Sequence, residues 1–410
     1  MGRKKRRHGC MIISLSVVLL SVVAVFYLYK MIDEEYRLKK ETYYSKMISY
    51  VHDYQLAERA WIRKNQGPGG EIYLNGGGGQ QNIGNVIPYF SSLAAQGLLI
   101  GTPTQEDLDS VRDYLIWHRE NFLKEQGKIT DYQMKDGNLQ STGEQDSVDS
   151  YVAVYLSLLC NYGMLGGDIS EVDPQLKALK LGVDTLQELT VNGLTKTKPN
   201  GEIYYWMDNA EVLAAYYDIK HFAKSKYGEK WLGDQQKWLE RKMTKAIDET
   251  EAAVQQHLWN EEENRYEIGI GNGIPFDFSG WNRIYPDAIA QVYYTAFDLF
   301  LEDERSKELY KTFSDSIKWE YLHFGENEEF NWSVLSFIAI NLGDVKRAET
   351  YLKQYENKIK QSRAYPIHTA DAAWIIKTCV GLEEYYKQRM KTSLLHDILS
   401  GSKEDFDESE

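Results

Sequence analysis

Residues 141–159 read STGEQDSVDSYVAVYLSLL, and residues 202–218 read EIYYWMDNAEVLAAYYD. Each opens on acidic, polar and aromatic residues and then runs through small and apolar side chains. The run follows neither a period of two nor a single stripe, the pattern of a helix buried on most of its faces. Outward from these two, similar stretches begin near Asn82, Tyr285, Asn331 and Pro366. Between them lie more polar segments, roughly 36–64, 104–126, 171–190, 233–257, 304–320 and 345–361, whose charges cover a broad solvent-facing side. The punctuation agrees: Thr104 precedes Glu106 and Asp107 as a helix start, Gly97 and Gly101 mark an end, and Gly343-Asp344 separates two helices.

Six outer and inner helices in alternation predict an all-α fold, an (α/α)6 barrel of six helical hairpins over residues 31–392, with the inner helices buried and loops gathered at one mouth. An open helical solenoid is the alternative, but its repeats would be self-similar, and no repeated signature is present. Residues 393–410, ending in GSKEDFDESE, read as an acidic, disordered tail.

Composition narrows the function. With 410 residues, 43% hydrophobic and 13% aromatic, the chain has material for a large core. A net charge of -14 without a basic patch beyond the extreme N-terminus excludes a nucleic-acid partner. Cys10, Cys160 and Cys379 form no paired motif, and the eight histidines form no HExxH or similar ligand set, so no metal and no cofactor is expected. Residues 11–29, MIISLSVVLLSVVAVFYLY, follow a basic segment at 1–10 and precede Asp33, Glu34 and Glu35. They predict a transmembrane anchor with a cytoplasmic N-terminus, a single-pass placement in the cell membrane and an extracytoplasmic barrel. A cleaved signal peptide would want a small-residue site where Tyr27, Leu28 and Tyr29 stand.

The chemistry concentrates where the inner helices begin. The Gly76 to Gly79 run reads as a rim loop, because no Lys-Ser/Thr follows it as in a phosphate-binding loop. Asn85 and Tyr89 come just after it. Asp146 and Asp149 lie three apart and share a helix face, either as caps or as carboxylates facing a cavity. Trp206, Asp208 and Glu211 open the next inner helix. There an aromatic face suits a pyranose ring and a neighbouring carboxylate suits its hydroxyls or its glycosidic oxygen. Further candidates are Trp281, Tyr285 and Asp287 in GWNRIYPDAIAQVYY, Trp332 in EFNWSVLSF, and Tyr365, His368, Asp371 and Trp374 in AYPIHTADAAWI. Each alone is more often structural than functional.

The run DSVDSYVAVYLSLLCNYG resembles the aspartate-rich helix of family 8 glycoside hydrolases, and WMDNAEVLAA resembles the Trp-x-Asp segment of the family 88 and 105 unsaturated glycosyl hydrolases. Both are six-hairpin glycosidases. The resemblance implies an (α/α)6 fold and carbohydrate hydrolysis, with Asp208 at the proton donor's place and Asp146 or Asp149 at the family 8 aspartate segment. Family 8 enzymes carry an acid glutamate on the first inner helix, where this chain has Asn82-Ile83-Gly84-Asn85.

The expected function is therefore a membrane-anchored, extracytoplasmic glycoside hydrolase acting on a poly- or oligosaccharide by carboxylate acid/base catalysis. Asp208 is the expected acid, and Asp149 or Asp146 the base or nucleophile. The expected substrate contacts are Trp206, Asn85, Tyr89, Glu211, Trp281, Tyr285, Asp287, Trp332, His368 and Asp371. The missing glutamate supports an alternative, a catalytically inactive carbohydrate-binding or polysaccharide-assembly protein. A polysaccharide lyase using Tyr285 or His368 ranks third, since an acidic chain repels polyanions.

Overall fold

The computed structural model describes residues 2–75, 84–324, 330–364, 366–401 and 406, with side chains from Val17 onward. Asn82, Tyr365, the whole Gly76 to Gly79 run and most of the GSKEDFDESE tail lie outside the described residues.

The chain is mostly helical. Its long helices are α1 (Gly2–Lys64), α2 (Pro88–Leu99), α3 (Gln105–Lys124), α4 (Val148–Met164), α5 (Lys177–Leu189), α6 (Trp206–Lys224), α7 (Gln236–Ala253), α8 (Glu304–Ser316), α9 (Val334–Asn341), α10 (Val345–Gln361), α11 (Thr369–Met390) and α12 (Leu394–Leu399). Short antiparallel pairs decorate the connections. One is the hairpin of Tyr132–Lys135 with Asn138–Ser141, and another is a three-stranded set in which Gly269–Gly271 lies between Ile203–Tyr205 and Ile274–Pro275.

The two helix classes expected from the sequence are both present. In α4 every residue but Asn161 and Met164 is buried. In α5 the buried set is a stripe, Ala178, Leu179, Gly182, Val183, Leu186 and Leu189, with the charges on the other side. The start of α3 is held by a capping box: Thr104 accepts from the Asp107 N–H at 3.2 Å, and Asp107 accepts from the Thr104 N–H at 3.0 Å. Such a box contributes about 1 kcal/mol. The stretch after Tyr285, expected to be one inner helix, is instead broken into the turns Ile284–Ala288 and Tyr293–Phe297. Pro286 brings no N–H to a helix. The buried Gln291 side chain takes over backbone pairing across the chain, accepting from Tyr266 N at 2.8 Å and donating to Tyr266 O at 2.9 Å.

The chain divides into two compact units, one of residues 54–381 and one of residues 1–53 with 382–410. In the larger unit α2 packs on α4, α4 on α6, and α6 and α9 on the turn Tyr293–Phe297. Gly97 of α2 sits so close to Ala373 of α11 that a Cβ there would lie 2.5 Å from the alanine methyl. Only glycine permits that approach.

In the smaller unit the segment expected to be a disordered tail carries α12. Its Asp397 is fully buried and accepts from Tyr36 Oη at 2.8 Å, Thr392 Oγ1 at 2.7 Å and Arg389 at 3.1 Å, and it pairs with the fully buried Lys40. The hydrogen bonds and ion pairs outweigh the cost of ordering these residues.

Among the described residues no helix is long and apolar enough to cross a membrane. This corrects the transmembrane anchor expected over 11–29, and with it the membrane partner, the single-pass placement and the extracytoplasmic location. The apolar stretch is not a separate span. It belongs to one continuous helix, α1, in which the described apolar side chains from Val17 to Tyr29 cover about 20 Å against a hydrocarbon layer of about 30 Å. Lys30, Asp33 and Glu34 then follow on the same helix.

Candidate active site

The starts of the inner segments surround a cavity of about 360 Å³ in the larger unit. Of the expected residues, Tyr89, Asp146, Asp208, Glu211, Tyr285, Trp332, His368 and Asp371 line it. Asp149, Trp206, Asn85, Trp281 and Asp287 do not.

The centre is built where α4 and α6 begin side by side. Ser147 occupies the N-cap position of α4, yet its hydroxyl makes no capping bond. It lies instead between two carboxylates, 2.5 Å from Asp149 Oδ1 and 2.7 Å from Asp208 Oδ2. A hydroxyl has one hydrogen, so the second contact needs a proton on a carboxyl group. Asp149 is already served as an anion, accepting from Thr195 Oγ1 at 2.9 Å and the Ser150 N–H at 3.0 Å. The extra proton therefore belongs to Asp208, whose pKa is raised well above the ordinary carboxyl range by burial and by the charges of Asp149 and Glu211. Asp149 itself is pushed up to about 6 by burial, against the opposing hydrogen bonds.

A second proton-rich group stands beside it. Tyr293 Oη lies 2.8 Å from Glu211 Oε1 and 2.7 Å from Tyr89 Oη, and Tyr89 Oη also contacts Glu211 Oε1. Two phenol hydrogens cannot fill three contacts, so this triangle is complete when Glu211 is protonated. Burial is the main reason that Glu211 is raised to about 7, with the two phenols opposing it.

The wall continues with Asp131, which accepts from Tyr151 Oη at 2.7 Å and is raised to about 6, chiefly by burial, then by Asp146 and Glu144. Asp146 sits exposed at the rim. Tyr285 and Trp332 lie tilted with centroids 5.7 Å apart, and His368 stacks on Phe90 at 4.6 Å. Asp371, in the first turn of α11, accepts from the His368 N–H at 3.0 Å.

The remaining candidates have structural places. Asp149 lies behind Ser147. Trp206 is fully buried against Tyr266, centroids 4.7 Å apart, and anchors the start of α6. Asp287 is buried and pairs with Arg283 at 3.3 Å. Trp281 packs edge-on against Phe278, and the Asn85 carbonyl accepts from the Leu74 N–H at 2.8 Å. Asp131, Ser147, Tyr151, Tyr293 and Phe330 line the cavity without having been expected to. Tyr293 carried a faint signal, an aromatic eight residues after Tyr285 in the same segment. Asp131, in a polar hairpin, carried none.

No protein-family model matches the chain, and no curated protein matches it by sequence. Solved structures do. The chain is similar to a glycosidase at TM-score 0.55 and 10% identity, covering 84% of this chain and 98% of that one. An alanine variant of a glycosidase in complex with glucose matches with the same values. An α-amylase from Clostridium perfringens matches at TM-score 0.53 and 10% identity, over 82% of this chain and 98% of that one. At such identities the likeness concerns the fold alone: this chain shares an all-helical fold with these glycosidase structures.

Proposed function

We propose that the chain is a glycoside hydrolase whose hairpins close into an (α/α)6 barrel, acting on a poly- or oligosaccharide in the cavity. The neighbour sequence α2, α4, α6, the turn Tyr293–Phe297 and α9, then α11 through the Ser336–Thr378 hydroxyl bond at 2.7 Å, with Gly97 against Ala373, supports the closure. The observation that carries the chemistry is the Ser147 hydroxyl held between Asp149 and Asp208, which keeps a proton on a carboxyl group at the cavity wall. Asp208 gives that proton to the glycosidic oxygen as the C–O bond breaks. Asp146 takes a proton from the water that attacks the anomeric carbon. Asp149 positions Ser147 and touches no substrate. Tyr89, Glu211, Tyr285, Trp332, His368 and Asp371 contact the sugar.

The test is reducing-end release by the full chain across neutral, amino and acidic polysaccharides, with Asp208→Asn alongside. Release by the wild type and its loss in the variant support the assignment; equal release by both sinks it. A second reading, a non-catalytic carbohydrate-binding or assembly protein, rests on α2, which presents Tyr89 and Phe90 to the cavity and no carboxylate. Glycan binding without release by either protein would favour it.

A further inference from the structure

Elsewhere in the chain several enclosed acids are given a cation, although the buried Asp173 is held by the Ala178 and Leu179 N–H groups. Glu58 pairs with Arg363 and Asp107 with Arg59 and Arg63. The cavity offers its acids no such cation. It is lined by five carboxyl groups, and among its described lining residues there is neither Lys nor Arg. Asp371 has the His368 imidazole within 3.5 Å and the backbone N–H groups of His368 and Ser333. Asp208 and Glu211 have the shared protons described above. Asp131 has only the Tyr151 hydroxyl, and its main chain is pinned at the hairpin base, with its N–H on Glu144 O and its C=O on the Thr142 N–H, both at 2.8 Å. Its neighbours Asp146 and Glu144 add negative charge.

Two enclosed polar atoms of the same cavity have no hydrogen-bond partner within the fold. His368 is only 5% exposed, and its Nδ1 makes no hydrogen bond; the enclosed Trp332 Nε1 makes none either. Buried polar atoms without partners are costly and uncommon in a finished core.

A neutral sugar offers hydroxyl donors and leaves the charge around Asp131 uncompensated, and a uronate adds to it. An ammonium group brings both a positive charge and three donors, and the faces of Tyr285 and Trp332 in the cavity wall tolerate a cation as they tolerate a sugar ring. Resting on the carbohydrate reading above, we infer that Asp131 anchors an ammonium group and that the substrate is a glycan whose sugar units carry free amines.

The experiment is calorimetric titration of the full chain bearing Asp208→Asn, which prevents turnover, at pH 6 and high salt, which screens non-specific attraction of a polycation to the acidic surface. The probes are a glucosamine hexamer, its fully N-acetylated counterpart, a glucose hexamer and a galacturonate hexamer. The expected result is at least about tenfold tighter binding of the glucosamine hexamer than of the others, equivalent to about 1.4 kcal/mol. Adding Asp131→Asn removes that preference, and Asp131→Glu, which keeps the charge, restores much of it. Equal or tighter binding of an uncharged or acidic hexamer overturns the inference while leaving the carbohydrate reading intact. So does a preference that survives Asp131→Asn. Failure of all four hexamers to bind overturns the inference together with the reading beneath it.

Discussion

Asp397 and Asp208 are both enclosed carboxyl groups bonded to a hydroxyl, and their surroundings treat them in opposite ways. Around Asp397, burial favours the neutral acid, but Lys40, Thr392 and Tyr36 bond to the anion and Arg389 adds charge, so the group is held down at about 2. Around Asp208 burial acts in the same direction and nothing positive answers it; Asp149 and Glu211 push further the same way. The first acid is fixed as a permanent anion that ties α12 to α1 within its unit. The second is kept as a proton store. An enclosed acid with a cation is structural ballast, whereas one among other acids has a proton to give.

The contrast can be broken most sharply by asking which acid matters to turnover. Asp208→Asn should lower glycan hydrolysis by about 10²- to 10⁴-fold, the usual worth of a general acid, with the circular dichroism spectrum unchanged. Asp397→Asn should leave turnover alone. Next, Lys40→Met removes a cation from a buried pair and should destabilise the smaller unit by about 3 kcal/mol, read as faster amide exchange in Leu394–Leu399.

The pH dependence of stability should then run in opposite senses. Glu211 is raised to about 7 in the fold, so its contribution is full below its ordinary value near 4.5 and is lost as pH rises through 7. Glu211→Gln should flatten that decline, on the order of 2 kcal/mol, in urea unfolding followed across pH. Asp397 is depressed, so its contribution is present above its ordinary value near 3.8 and is lost as pH falls towards 2; Asp397→Asn should remove the acid-side loss. The smallest effect sharpens the comparison inside the cavity. Asp149→Asn removes a negative charge and frees the Ser147 hydroxyl to donate to Asp208. The alkaline limb of the pH–rate profile should therefore move to lower pH by about one unit. An unmoved limb would show that Asp149 merely fills space.

The helices were legible because burial pattern and caps are local. Thr104 with Asp107 marks α3, and the unbroken apolar run after Ser147 marks α4 as an inner element. Asp208 was legible as a carboxylate set against an apolar helix. The same rule misplaced Asp149, because a carboxylate on an apolar helix can also be satisfied by hydroxyls. Here one of them, Thr195, comes from a hairpin 46 residues away. Trp206 was read as a sugar platform, but Tyr266 occupies its face. Asp131 and Tyr293 enter the cavity through contacts between distant segments, to which periodicity is blind. The fourth inner segment failed as a helix for a similar reason, since Gln291 bonds to backbone elsewhere in the fold.

The glycine at position 97 carries one more consequence. α2 and α11 come from opposite ends of the larger unit's sequence and meet at a seam where Gly97 faces Ala373. Tyr89 stands on one side of that seam and Trp374 on the other, and both face the cavity. A contact between segments so far apart in sequence is entropically costly to form. A side chain larger than hydrogen at position 97 would therefore press on both walls of the pocket at once.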